Sequence, residues 1–354
     1  ADIDSTALFC QALSGTSQKV MLKNGKLELT LDTKGGVIRK AVIKDFKSID
    51  GASDVTLFNE KDQDLTFLLA GKQDNIITRD LYFTPSEMSD TTITMTAAAQ
   101  NGGQLVIRYR LGQDYLLSMT LQAQGLANTF APSYKEVEIA WTDHCRQQEK
   151  GYSFENRYTS IYYKESQGGT DKLSESGNQE ETTEEQTDWI AFRNQFFSVA
   201  FISKDNFNKG AQLATKMDEK GSGYLKHFDA RMTTAFDPSE FEMYIGPNDF
   251  RLIKDVEQQS AFGKDLDLEQ LVDLGWWLLR WINRWFTLYV FDWLTGFGLN
   301  MGIVLILITI LLKVITFPMV KKSYMSSAKM RVLKPKFEEA TKQYDKPEDQ
   351  MKKQ

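Results

Sequence analysis

Apolar and polar residues alternate along much of the chain between Val20 and Pro247. The run KLELTLDTKGGVIRKAVIKDF at 26–46 alternates on both sides of the Gly35–Gly36 pair, which is typical of a hairpin. Shorter runs of the same kind follow, among them LTFLLAG, TTITMTAAAQNGGQLVIRYRLG, YLLSMTLQAQ, YKEVEIAW, FFSVAFIS and EFEMYIG. Many short strands without long helical patterns between them predict a mainly β domain, built as an antiparallel sandwich.

One polar segment interrupts this pattern. Residues 164–188 read KESQGGTDKLSESGNQEETTEEQTD, which is acidic and nearly free of apolar side chains. Such a segment buries little surface, so it is predicted to be a mobile surface loop within the β domain. The alternative interpretation is an acidic docking site.

The period of the pattern changes near Phe250. In 272–289, VDLGWWLLRWINRWFTLY, apolar residues recur on one helical face and polar residues on the other. Tryptophans opposite arginines indicate a helix lying in a membrane interface. The residues of this predicted interfacial helix are Trp276, Trp277, Arg280, Trp281, Arg284 and Trp285. An amphipathic helix packed against the sandwich is the alternative.

A long apolar run follows at 299–320, LNMGIVLILITILLKVITFPMV. As a helix it would span roughly 33 Å, enough to cross the core of a bilayer. A cluster of basic residues comes directly after it, so the positive-inside rule places that end in the cytoplasm and the sandwich on the opposite side. The next residues, from about Ser326, are helix-prone and charged, which predicts one arm of a cytoplasmic helix pair.

A lysine stands inside this apolar run. Lys313 lies roughly 10 Å from the inner end of the predicted helix, where a charge is costly. Thr309 lies one turn before it and Thr316 one turn after, with Gly302 on the same side. This polar stripe indicates a watery groove, in which the charge could attract acidic groups entering the bilayer. The alternative is a lysine that snorkels to the interface and only anchors the helix.

The distribution of charge supports a division of the chain into two parts. From Lys313 onward 11 Lys and Arg stand against 5 Asp and Glu, a balance of +6, so within the total of −6 the preceding residues carry −12. The two cysteines set no disulfide framework, and the His144–Cys145 pair is too little for a zinc site. No phosphate-binding glycine loop occurs, and residues 1–20 show no signal peptide.

Several blocks in a fixed order carry a resemblance to a known family. They are YIGPNDFRLIK (244–254), LVDLGWW (271–277), GLNMGIVLILITILLKVITFPM (298–319) and KKSYMSSAKMRVLKPKF (321–337). Together with LELTLDTKGGVIRKAVI (27–43), they resemble the YidC membrane protein insertases.

The resemblance implies a domain order. It implies a periplasmic β-supersandwich at 1–255, a linker with the interfacial helix at 256–296, a transmembrane helix at 297–320 and the start of a cytoplasmic coiled-coil hairpin at 321–354. It also implies the bacterial inner membrane as location. Family members have further membrane helices before and after these segments, so the chain is expected to be a fragment.

The resemblance also implies a function. Such proteins insert and fold membrane proteins without a cofactor and are not enzymes. The implied partners are nascent membrane proteins, the lipid bilayer, the Sec translocon and the ribosome through the cytoplasmic region, without recognition of nucleic acid sequence. Lys313 takes the place of a groove residue that is arginine in many members, which keeps the charge but loses the planar fork. Thr309 matches a groove-facing threonine.

Two other functions stay open. The first is a membrane-anchored carbohydrate-binding or mutarotase-like protein, for which His144 and His227 are the only histidines and no carboxylate can be assigned beside them from the sequence. The second is a single-pass sensor, in which Lys313 would be dispensable.

Overall fold

The computed structural model describes residues 7–72, 75–126, 129–130, 135–236, 238–272 and 286–341, with side chains of the last helix described up to Lys334. The chain divides into two compact units, Ala1–Val272 and Asp273–Gln354. The first contains nearly all the strands that the alternating pattern predicts, and the described part of the second is mainly helical.

The strands of the first unit are, in chain order, β1 (Lys19–Lys23), β2 (Leu27–Asp32), β3 (Val37–Lys47), β4 (Asp54–Phe58), β5 (Gln63–Leu69), β6 (Ile76–Ile77), β7 (Thr84–Ser86), β8 (Thr92–Ala98), β9 (Gln104–Leu111), β10 (Leu116–Gln124), β11 (Glu136–Arg146), β12 (Ser160–Glu165), β13 (Thr170–Lys172), β14 (Gln179–Thr182), β15 (Thr187–Arg193), β16 (Phe197–Phe207), β17 (Gln212–Met217), β18 (Tyr224–Ala235) and β19 (Ser239–Pro247). The helices among the described residues are α1 (Tyr152–Arg157), α2 (Phe250–Glu257), α3 (Leu288–Thr295) and α4 (Met301–Thr341), with short 3₁₀ turns at Cys10–Leu13, Thr78–Asp80 and Leu268–Leu271.

These strands form three antiparallel sheets. A four-stranded sheet has the order β1-β2-β3-β4, a nine-stranded sheet the order β13-β12-β15-β16-β19-β10-β9-β8-β7, and a six-stranded sheet the order β14-β17-β18-β11-β5-β6. The 26–46 hairpin is confirmed, since Leu31 of β2 pairs with Ile38 of β3 across the glycine turn. Both Gly35 and Gly36 have positive φ there, which a residue with a side chain rarely adopts.

The core lies between the nine-stranded and six-stranded sheets. On β11, buried and partly exposed residues alternate, so Trp141 points inward and is fully buried. Its ring stacks at 3.7 Å on Phe192 of β15, in the facing sheet, and Phe192 contacts Phe228 of β18 at 5.0 Å. These aromatic contacts join the two sheets and confirm the predicted sandwich.

The prediction of a loop at 164–188 is wrong for part of that segment. β13 pairs with β12 at one edge of the nine-stranded sheet, and β14 pairs with β17 at an edge of the six-stranded sheet. Leu173, between these strands, is 1% exposed. Short charged strands suit sheet edges, because the backbone pairing needs no apolar partner and the charges discourage pairing with other chains.

The first unit also extends further than the predicted limit at residue 255. Leu266 and Leu271 are fully buried, and their carbonyl oxygens accept hydrogen bonds from Trp189 Nε1 and Arg193 Nε, both at 2.7 Å. Asp249 caps α2 by accepting from two backbone amides of its first turn. Buried backbone oxygens need such partners, so the segment up to Val272 belongs to the sandwich rather than to a linker.

The second unit is built on one long helix. α4 runs without a break from Met301 to Thr341, roughly 61 Å, and so merges the predicted transmembrane and cytoplasmic helices. Pro318 lacks the amide that would bond to the carbonyl of Val314, but the helix continues through it. The stretch Met301–Lys334 has a mean hydropathy of 2.7 in its most apolar window and is the one described helix long and apolar enough to cross a membrane.

Candidate functional site

The candidate site is the polar stripe on α4. Thr309, Lys313 and Thr316 are all exposed, and each precedes or follows its neighbour by about one turn. The hydroxyl groups of the two threonines donate to backbone carbonyls one turn back, Thr309 to Leu305 at 2.8 Å and Thr316 to Leu312 at 2.8 Å. Their donors are therefore satisfied within the helix, while an oxygen lone pair stays available to an incoming group.

A packed face on another side of α4 fixes the orientation of this stripe within the second unit. Val304 and Ile308 are buried against Leu294 of α3, and Leu312 packs at the edge of the same cluster. A helix turns about 100° per residue, so Thr309 lies about 100° around the axis from Ile308. The three stripe residues and Gly302 fall on one side of α4, centred about 110° around the axis from the face that packs on α3.

Lys313 lies between the apolar start of α4 and the basic residues that follow its apolar run. It follows Met301 by 12 residues, roughly 18 Å along the axis, and precedes Lys321 by 8 residues, roughly 12 Å. Within the described part of the second unit, no carboxylate pairs with Lys313.

The residues of the predicted interfacial helix, Trp276, Trp277, Arg280, Trp281, Arg284 and Trp285, lie outside the described residues. Their placement in an interface remains a prediction.

The two histidines of the sandwich are neighbours, which the sequence did not indicate. His144 and His227 pair across β11 and β18, with ring centroids 5.7 Å apart. His144 stacks on Tyr224 at 3.7 Å, and its Nε2 lies 2.8 Å from a carboxylate oxygen of Asp218. Burial and the neighbouring His144 lower the pKa of His227. Asp218 follows β17, far away in sequence, so no local motif could have assigned it.

This histidine pair does not make a metal centre. In the parts of the chain that the structure describes, no group of three or more His, Cys, Asp or Glu side chains is arranged to hold a metal ion. The 2.8 Å contact of His144 Nε2 with Asp218, and the hydrogen bond of the Tyr152 hydroxyl to the Asp218 carbonyl at 2.6 Å, tie the loop after β17 to the sheet and to α1.

Arg193 and Lys226 are two buried cations that sequence reasoning missed. Arg193 donates to the carbonyl oxygens of Leu271 and Tyr158, and Lys226 Nζ donates to those of Thr159 and Glu175, at 2.6 to 2.9 Å. Burial lowers the pKa of Lys226 to about 8. Each holds together segments distant in sequence, so only the tertiary structure shows its role.

The fold and the stripe together define a membrane-anchored protein, with a large β-sandwich outside the bilayer and a charged residue in its apolar helix. The family model of the YidC periplasmic domain matches residues 19–289, and that of the 60Kd inner membrane protein matches residues 293–354. The chain belongs to the YidC family of membrane protein insertases. Its sandwich is thus a periplasmic domain, and its apolar helix lies in the inner membrane.

Curated relatives agree with this assignment. The membrane protein insertase YidC of Phocaeicola vulgatus is 46% identical over 99% of this chain, and that of Bacteroides fragilis is 42% identical over 99%. The chain spans 57% of the length of each of them. Among solved structures, the periplasmic domain of Thermotoga maritima YidC matches 72% of this chain and 95% of its own length, with 12% identity and a TM-score of 0.36.

Proposed function

We propose that this chain is the part of a membrane protein insertase that contains its periplasmic domain and a groove-forming helix. The observation that carries the proposal is the exposed stripe of Thr309, Lys313 and Thr316 on an otherwise apolar helix. It is supported by the relatives, which are named membrane protein insertases. The substrates would be nascent membrane proteins, and the lipid bilayer is the medium into which they are released.

Lys313 supplies attraction rather than chemistry. A lysine at the centre of a membrane helix costs up to about 2.5–3.5 kcal/mol on insertion scales. A carboxylate on a substrate segment that passes the stripe would offset part of this cost, because opposite charges attract more strongly beside the low-dielectric lipid core than in bulk water. The threonine oxygens would accept hydrogen bonds from backbone amides of the same segment, which have lost their water partners.

The cytoplasmic end of α4 offers a second contact. Its exposed basic residues are Lys321, Lys322, Lys329, Arg331 and Lys334. This charge would favour contact with the ribosome through phosphates, without recognition of a nucleotide sequence. Cooperation with the Sec translocon is part of the same proposal, and it is supported by family membership alone.

The proposal assigns no enzymatic activity and no cofactor to the sandwich. His144 stacks on Tyr224 and hydrogen-bonds to Asp218, so a structural role explains its contacts. Measuring anomer interconversion of aldoses with purified protein tests this part. Acceleration that is lost in His144→Ala would favour a mutarotase-like activity instead.

The test of the insertase proposal uses Lys313 variants in the full-length protein, reconstituted into proteoliposomes. Lys313→Ala is expected to impair insertion of a substrate with an acidic translocated tail, and Lys313→Arg to preserve it, since the charge is what acts. Lys209→Ala is the control, because it removes an exposed lysine that lies in the sandwich, outside α4 and its basic end. Changing the substrate's acidic residues to amides should remove the difference between the variants. Normal insertion of the acidic substrate by Lys313→Ala would refute the attraction.

A further inference from the structure

One end of the first unit gathers exposed aromatic and aliphatic side chains. They belong to the end of β3 and the connection after it, to α1 and the residue that follows it, and to the turn between β15 and β16. We call this surface the aromatic end and define it as Phe46, Ile49, Phe154, Tyr158 and Phe196. Three of them are well exposed, Phe46 at 39%, Ile49 at 45% and Phe154 at 56%. Exposed apolar side chains that cluster mark an interaction site more often than scattered ones do.

Ring contacts group the aromatic members of the aromatic end into two sets. Phe46 meets Phe197 edge to face at 5.5 Å, and Phe197 contacts the ring of its neighbour Phe196 at 6.5 Å. On the other side, Phe154 meets Tyr158 at 5.4 Å. The backbone of β3 bulges before Phe46, since the register with β4 shifts between Ile43 and Lys47. This bulge places Phe46 outside the regular ladder of the sheet.

A recess opens beside Phe46 and Phe196 and has a volume of about 320 Å³, which falls in the range of small-ligand sites. Its apolar lining comes from Phe46, Val55, Phe196, Phe197 and Pro247, and its polar lining from Lys47, Gln148, Glu149, Gln195, Asn248 and Asp249.

The chain leaves the first unit at this same end. Arg193 Nε donates to the carbonyl oxygen of Leu271 at 2.7 Å, one residue before the unit ends at Val272. The same guanidinium donates to the carbonyl oxygen of Tyr158 at 2.9 Å. Arg193 therefore holds the exit point against one member of the aromatic end, and it lies three residues before another, Phe196.

The sequence beyond the exit point indicates which partner meets the aromatic end. Residues 273–289 contain four tryptophans with arginines between them, a composition typical of a membrane interface. The apolar helix α4 begins only 29 residues after Val272. The sequence that leaves this end of the domain therefore reaches the apolar helix within 29 residues.

From this continuity we propose that the aromatic end is a lipid-contacting surface, in which Phe154, Ile49 and Phe46 enter the headgroup region of the bilayer. Apolar side chains, phenylalanine among them, are buried at the boundary of headgroups and acyl chains. Charges nearby are of both signs: Lys47 pairs with Asp54 at 2.8 Å, and Arg157 is exposed, as are Glu149 and Lys150. Contact with lipid at this surface therefore depends on apolar burial and little on anionic lipid. The proposed lipid contact does not depend on insertion activity.

The test places a fluorescent label on single cysteines in the full-length protein, held in phosphatidylcholine nanodiscs. Ile49→Cys and Phe154→Cys probe the aromatic end, in a background without other accessible cysteines. The matched controls are Lys209→Cys and Asn101→Cys, both exposed at the opposite ends of strands. Lys209 follows β16, whose 11 residues separate it from Phe197 by roughly 33 Å.

Brominated phosphatidylcholine is expected to quench most of the label fluorescence at positions 49 and 154 and to leave positions 101 and 209 near the value without bromine. Replacing some of the phosphatidylcholine by an anionic lipid should change the quenching at these four positions little. Equal quenching at all four positions, or none at 49 and 154, would overturn the proposal. As a second measurement, Phe154→Ser should reduce quenching of the label at position 49, whereas Lys209→Ser should not. An unchanged signal in Phe154→Ser would also contradict it. Because no substrate is involved, failure here is distinguishable from failure of the insertase proposal.

Discussion

Lys226 is a fully buried lysine whose role can be tested through the pH dependence of stability. Its Nζ donates to the carbonyl oxygens of Thr159 at 2.6 Å and Glu175 at 2.7 Å, and its side chain is 0% exposed. Burial lowers its pKa from 10.5 to about 8, because the charged form loses its hydration. The proposed perturbation is Lys226→Met, which keeps most of the volume and removes the charge.

The sign follows from proton binding. Between pH 8 and 10.5 the unfolded chain still holds a proton on Lys226, while the folded chain has released it. The free energy of unfolding therefore rises with pH across that window. The difference between the two pKa values corresponds to roughly 3 kcal/mol, which residual solvent screening reduces to about 2 kcal/mol.

The assay compares the free energy of unfolding of the first unit at pH 7 and pH 10, by pulse proteolysis of the full chain in urea. In Lys226→Met the loss of two hydrogen bonds lowers the free energy of unfolding, and the removal of a buried charge raises it. The free energy of unfolding at a single pH therefore does not separate the two effects. The difference between wild type and variant should instead shift by about 2 kcal/mol in favour of wild type from pH 7 to pH 10. Lys209→Met, at an exposed site, is the control. Parallel pH profiles for wild type and Lys226→Met would refute the reasoning.

Three further substitutions test other parts of the structure. Arg193→Lys replaces a planar fork with a single ammonium, so it should loosen the Leu271 segment by about 2–3 kcal/mol, seen as faster amide hydrogen exchange there than in β11. Burial raises the pKa of Glu155 to about 7, so wild-type stability should fall as pH rises from 4.5 to 7, and Glu155→Gln should lack this fall in urea titrations. A steeper fall in the variant would contradict this. In Gly246→Ala the new Cβ would lie 2.8 Å from the Tyr244 hydroxyl and 2.9 Å from Tyr115 Cβ, so thermal unfolding should reveal a loss of about 1–3 kcal/mol. Unchanged stability would show that the two rings can move aside.

Local patterns predicted the elements whose burial depends on their own sequence. The alternation in β11 places Val137, Ile139 and Trp141 in the core, and the apolar run places α4 in the membrane. The stripe of Thr309, Lys313 and Thr316 also follows from helical spacing alone. These features need no knowledge of which segment packs against them.

The rest depends on partners far away in sequence. β10 pairs with β19, so that Leu117 lies opposite Met243, and alternation cannot select that partner. β13 and β14 are strands only because the sheets offer them edges. Trp189 and Arg193 hold the 256–272 segment against the sandwich through hydrogen bonds. Hydrophobic periodicity predicts only that these two residues lie in a strand. Asp218 beside His144 belongs to the same class of long-range contact.

The central claim is that the polar stripe of α4 faces the substrate during insertion. Site-specific photocrosslinking in the full-length protein tests this most directly, with the photoreactive residue placed at Thr309 or Thr316 and a translocation-arrested substrate as target. The matched control positions are Leu307 and Leu311, both 37% exposed and on the other side of the helix, about 150–170° around the axis from the centre of the stripe. We predict crosslinks to the substrate from Thr309 and Thr316 and few from Leu307 and Leu311. Crosslinks of equal yield on both sides, or a stronger yield from the leucine positions, would contradict the account.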